Sequence, residues 1–130
     1  LMEGIYVILI LLGAFIVYSI IMLLMQRRIM KSLTEAEFRA GYRKAQLIDI
    51  REQKDFEGGH ILGARNIPLS QLKMRIKELR PDQPVYLYDQ AGIRTGKAAQ
   101  MIRRHRGIKD IYQLKGGFKL WTGKVKTKKR

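Results

Sequence analysis

Cysteine is missing from all 130 residues. That excludes disulfides, thiolate metal sites and any cysteine nucleophile, and it fits a reducing compartment. Histidine is scarce as well. His60 and His105 are the only two, too few for a metal cluster, so neither a metal nor any other cofactor is expected. Acidic residues are outnumbered, 11 Asp and Glu against 26 Lys and Arg, for a formal net charge of +15.

Charge of either sign is absent from Ile5 to Met25, IYVILILLGAFIVYSIIMLLM. About 21 residues at roughly 1.5 Å rise span about 31 Å, against a hydrocarbon core of about 30 Å. A signal peptide would start with basic residues and have a shorter apolar run. A buried core helix would show a polar face. The run therefore predicts a transmembrane anchor over 1–26. Arg27, Arg28 and Lys31 follow it and Glu3 precedes it. The positive-inside bias then places the N-terminus outside and the remainder in the cytoplasm, as a single-pass protein of the cell membrane.

Every basic side chain lies beyond that run. Arg103-Arg104-His105-Arg106, Lys73 to Lys77 and the tail Lys124 to Arg130 are the dense spots. No aromatic interleaving or reading motif accompanies the charge, so contact with nucleic acid, RNA or the ribosome would rest on charge alone. A tethered domain has a simpler use for it. Each Lys or Arg near an anionic leaflet contributes about 1 kcal/mol. Anionic lipid is the expected partner, with an unidentified membrane-protein partner as the alternative.

The residues after the anchor form one small domain. A basic juxtamembrane segment is expected over 27–33, the domain over 34–123 and a basic, disordered tail over 124–130. Thr34-Glu-Ala-Glu37 is a capping box and predicts a helix to about Tyr42. Gln46 to Ile50, Ala64 to Ile67, Val85 to Tyr88 and Ile108 to Leu114 predict strands. Arg51 to Glu57 predicts a helical turn, Ser70 a cap on an amphipathic helix presenting Leu72, Ile76 and Leu79, and Thr95 to Arg104 a further helix. Gly116 to Trp121 predicts a tight turn into a short helix. Strands alternating with helices imply an α/β fold, a mostly parallel sheet with helices on both faces. In such sheets ligands sit beyond the carboxyl ends of the strands.

The loop YDQAGIRTGKA after Val85–Tyr88 occupies such a place. Its backbone N–H groups and the following helix N-terminus favour an anion, yet Asp89 at its mouth is itself negative. It is not a phosphate-binding P-loop, because Ala91 and Ala98 replace the first glycine and the hydroxyl residue.

Four motifs resemble the rhodanese-like domain family. They are Leu47-Ile-Asp-Ile-Arg-Glu52, Gly59-His60-Ile61 with Gly63-Ala64 and Asn66-Ile67-Pro68, Tyr88 to Thr95, and Leu114-Lys-Gly-Gly-Phe-Lys-Leu-Trp121. The resemblance implies the family's mostly parallel sheet, and it leaves out the anchor and the basic tail. It also implies that Asp89 stands where the family's catalytic cysteine would fall. That thiolate takes a sulfane sulfur from a donor such as thiosulfate as a persulfide and passes it on. A carboxylate cannot form a persulfide, so sulfurtransferase activity is not expected.

Three origins for Asp89 remain open. It supplies the missing negative charge from inside the loop, or it is drift pointing into water, or it is an introduced substitution. Asp89, Gln90, Ala91, Gly92, Ile93, Arg94 and Thr95 would form the anion cradle, with Arg94 bracing Asp89 or an incoming anion. Asp49 and Arg51 would fix the neighbouring loop by a salt bridge. His60 would serve structure and Trp121 the core or a lid. The expected function is a membrane-tethered, non-catalytic binding or regulatory module. The alternatives are an enzyme of the sulfurtransferase or hydrolase type with Asp89 as nucleophile, or a basic RNA contact protein.

Overall fold

A helix, α1, runs unbroken from Met2 to Ile29 in the computed structural model, which describes residues 2–127. Its stretch Met2–Met25 is long and apolar enough to cross a membrane, and the domain covers none of it. One residue later the chain enters β1, Lys31–Leu33. Residues 31–33 of the basic juxtamembrane segment thus form an edge strand, and the side chains of Arg27 and Arg28 lie outside the described residues.

The capping box forms as its residues require. Thr34 Oγ1 accepts the Glu37 N–H at 3.3 Å and the Thr34 N–H donates back to Glu37 at 3.1 Å. This starts α2, Glu35–Gly41, which continues as a 3-10 turn to Lys44. There follow β2 (Gln46–Asp49), α3 (Gln53–Gly58), β3 (His60–Ile61), β4 (Arg65–Asn66), α4 (Leu69–Leu72), β5 (Val85–Tyr88), α5 (Thr95–Arg106), β6 (Ile111–Leu114) and β7 (Val125–Lys126). Five strands make one parallel sheet in the order β1-β6-β5-β2-β4.

Alternation along the strands divides the core between the two faces. Ile48 and Leu87 pack with Leu72, Leu79, Ala98 and Ile102 on the α4–α5 face. Leu47, Tyr88 and Leu114 pack with Phe38 and Ile61 on the other. Trp121 packs against this second cluster, its ring edge-on to Phe38 with centroids 6.1 Å apart.

Two expectations need correction. The helix expected from Ser70 is only the short α4, followed by a 3-10 turn Ile76–Glu78. The Leu69 N–H is tied to the Ile50 carbonyl at 3.0 Å, so the helix starts before Ser70, whose hydroxyl donates to Glu52 at 3.3 Å instead. Leu72, Ile76 and Leu79 are nonetheless all buried. The tail is not wholly irregular either. Val125–Lys126 pairs antiparallel with His60–Ile61, and the Leu62 N–H donates to the Lys124 carbonyl at 3.1 Å. Residues 128–130 lie outside the described residues.

Candidate functional site

Register brings the site together. Asp49 pairs with Tyr88, so β2 and β5 end level and release their loops side by side at the carboxyl edge of the sheet. The Ile50 N–H donates to the Tyr88 carbonyl at 3.1 Å, extending the pairing one residue.

From Tyr88 the chain turns at once around the Asp89 carboxylate. That group accepts the N–H of Gly92, that of Ile93 at 2.9 Å and that of Arg94 at 2.8 Å. Asp89 is 4% exposed, so it does not point into water. A carboxylate is well suited here, because it brings charge and several lone pairs to converging backbone donors. Gly92 sits at φ 82, a left-handed conformation open to glycine at no steric cost.

The underside of the loop is clamped by the turn before Phe118. The Phe118 N–H donates to the Asp89 carbonyl at 2.8 Å, and the Lys119 N–H to that of Gln90 at 3.1 Å. Thr95 is fully buried and its hydroxyl donates to Gln113, whose amide donates to the Ser32 hydroxyl at 2.6 Å. The loop is thus tied to edge strand β1.

Asp49 and Arg51 form a buried ion pair at 2.8 Å, as the sequence led us to expect. Arg51 reaches further than a salt bridge to its neighbour. Its guanidinium donates to the Gly59 carbonyl at 2.6 Å and to the Gln90 side chain at 3.1 Å, and it lies 4.2 Å from the Phe118 ring centroid. Burial disfavours its charge, but the hydrogen bonds and charge of Asp49 outweigh that and raise its pKa. Burial pushes the Tyr88 hydroxyl well above its ordinary value, with Asp49 adding to the effect. That phenol stays neutral and accepts the Ile61 N–H at 3.0 Å. Asn66 locks the β2 end by donating to the Asp49 and Arg51 carbonyls at 3.0 and 2.9 Å.

The structure does not bring every expected residue to the loop. Arg94 meets Asp89 through its backbone. Its exposed guanidinium makes no ion pair among the described residues and lines the mouth of the cavity. His60 stacks on Phe56 at 3.7 Å and its Nδ1 donates to the Phe56 carbonyl at 2.7 Å, a structural role away from the cavity. The roles of Gln90, Phe118 and the Ser32–Gln113–Thr95 chain escaped sequence reasoning. Only the Gly116-Gly117 pair hinted that backbone approaches backbone there.

A cavity of about 350 Å³ opens over the loop, bordered by Arg51, Glu52, Asp55, Asp89, Gln90, Ile93 and Arg94. Three carboxylates face two guanidiniums, and one guanidinium is already engaged by Asp49. Such a rim does not favour an incoming anion. The Asp89 carboxylate is occupied by three backbone donors, which leaves it poorly placed to act as a nucleophile. The geometry holds the loop in shape, and the sequence has no cysteine thiol to place in it.

A family model described as rhodanese-like domain matches residues 32–124. The uncharacterized protein YqhL of Bacillus subtilis is 64% identical over 123 residues, spanning 95% of this chain and 97% of that protein. The thiosulfate sulfurtransferase GlpE of Shewanella oneidensis is 35% identical over 79 residues, 61% of this chain and 77% of its own. A crystal structure of a rhodanese-like domain protein from Staphylococcus aureus superposes with a TM-score of 0.68, covering 77% of this chain and 100% of that one. At 23% identity that likeness speaks for the fold. The matched span, the long relative and the shared parallel sheet place the chain in the rhodanese-like domain family, as a member with no cysteine in its sequence.

Proposed function

We propose that the protein is a membrane-tethered rhodanese-like module without sulfurtransferase activity, serving a binding or regulatory role at the cytoplasmic face. The observation that carries this reading is the Asp89 carboxylate, buried and bonded to three consecutive loop N–H groups. Those donors would otherwise receive an anionic sulfur, and here they are satisfied from within. The apolar helix Met2–Met25 and the basic residues beyond it support the tether and its orientation.

The test is thiosulfate-to-cyanide transfer. The wild-type chain should be inactive, while in Asp89→Cys the thiolate should attack the sulfane sulfur of thiosulfate, breaking its S–S bond and releasing sulfite, to leave a persulfide detected as a mass gain of about 32 Da, one sulfur atom. Turnover by the wild type above the uncatalysed rate would overturn the reading.

A further inference from the structure

We infer that the amino-terminal edge of the sheet lies on an anionic bilayer surface and that the Asp89 loop, at the opposite edge, is turned away from it. This rests on the reading of α1 as a membrane span.

The junction is short. α1 ends at Ile29 and β1 begins at Lys31, with only Met30 between them. Met30 is 8% exposed and belongs to the core, and Ile29 packs against the same cluster. No linker is left in which the domain could swivel. One residue is also too few to fold a helix back along the strand that follows it. β1 is parallel to all its sheet mates, so α1 departs from the end where the strands begin. Met30, Lys31, Lys109 and Asp110 border one small cleft there.

Positive charge collects at the same end. Arg43 and Lys44 lie in the turn before β2, Lys109 lies just before β6, and Arg103 and Arg104 lie in the last turn of α5. The Arg106 side chain donates to the Leu79 carbonyl at 2.8 Å and holds that helix end beside the segment leading to β5. Together with Lys31 these make six exposed cations, none in an ion pair among the described residues. Of the acids at this edge, Asp82 is paired with Arg80 at 3.1 Å and Asp110 makes no ion pair among the described residues. A cationic face beside the exit of an apolar helix matches an anionic headgroup layer in charge and position.

The loop lies at the other end of α5. Twelve residues separate the two helix ends, about 18 Å at roughly 1.5 Å per residue and about twice the physiological Debye length. What meets the loop must therefore come from the aqueous side.

The cysteine-free chain accepts a single fluorophore at Arg104→Cys or Ile93→Cys. Each labelled full-length chain is reconstituted into phosphatidylglycerol–phosphatidylcholine vesicles containing a headgroup nitroxide. Quenching should be severalfold stronger at position 104 than at 93, and should fall at 104 when phosphatidylglycerol is omitted or salt is raised. Equal quenching at both positions, or stronger quenching at 93, overturns the orientation. Quenching at 104 that ignores lipid charge overturns the anionic contact. A separate alkaline carbonate wash examines the anchor: release of the chain from the vesicles would refute the membrane reading itself, whereas retention with the wrong quenching pattern refutes only the orientation.

Discussion

Gly117 and Gln90 approach so closely that a Cβ on the glycine would lie 2.6 Å from the Gln90 carbonyl carbon and oxygen. Gly117 also sits at φ 74, in the left-handed region. The turn before Phe118 is therefore part of the site, because it presses backbone against backbone under the loop. Gly117→Ala should destabilise the full chain by about 2–4 kcal/mol, combining strain with a displaced loop. Thermal unfolding in detergent measures this, and an unchanged transition would mean that the turn adapts freely.

Removal of the internal carboxylate should leave three backbone donors unpaired. Asp89→Ala is expected to lose about 1–3 kcal/mol. Sulfate should then stabilise the variant, because binding to the folded state alone adds RT ln(1 + [L]/Kd). Wild type should gain much less. Equal gains in melting temperature for the two chains would show that Asp89 does not occupy the cradle.

Arg51 is the partner of a carboxylate with no solvent contact, Asp49, which is 0% exposed. Arg51→Met should cost about 3–5 kcal/mol, since it strands a buried charge. The double variant Asp49→Asn/Arg51→Met should recover part of that loss. A double-mutant cycle by denaturant unfolding checks the coupling, and simple additivity would contradict it.

Acid should weaken the fold through half-buried carboxylates held in the ionised form. The backbone N–H of Thr122 lowers the Glu35 pKa below its ordinary 4.5, and the Arg75 guanidinium does the same for Glu78. Folded values below unfolded ones mean stabilisation that is present above about pH 4.5 and is lost as pH falls through the depressed values. Melting temperature should thus drop on acidification, and Glu35→Gln should flatten that dependence. An identical pH profile for the variant would rule Glu35 out as a contributor.

Signals confined to a few residues were legible. The box from Thr34 to Glu37 specifies the start of α2 locally, and the apolar periodicity of Thr95 to Arg104 specifies all but the last two residues of α5. The two-residue strands β3 and β7 carry too few positions for any period, and they meet across some 65 residues of chain. Ser70 has the chemistry of a cap, which is local, whereas the Leu69 N–H at the start of its helix is held by the Ile50 carbonyl just past β2. The same limit applied at the site. Position 89 was legible as the place of interest, but the partners of Arg51, Gln90 and Gly59, come from separate loops that only the sheet register brings together.

The Asp89 carboxylate is tethered to the very donors it occupies, so its concentration at them is not that of any solute. Even short flexible tethers give effective concentrations in the millimolar range, and a well-aligned group gives far more. A dissolved anion must outcompete this permanent resident before it can touch the loop. On the proposed reading, weak, abundant anions should therefore be screened out, and displacing the side chain should require a partner that gains binding free energy elsewhere on the surface.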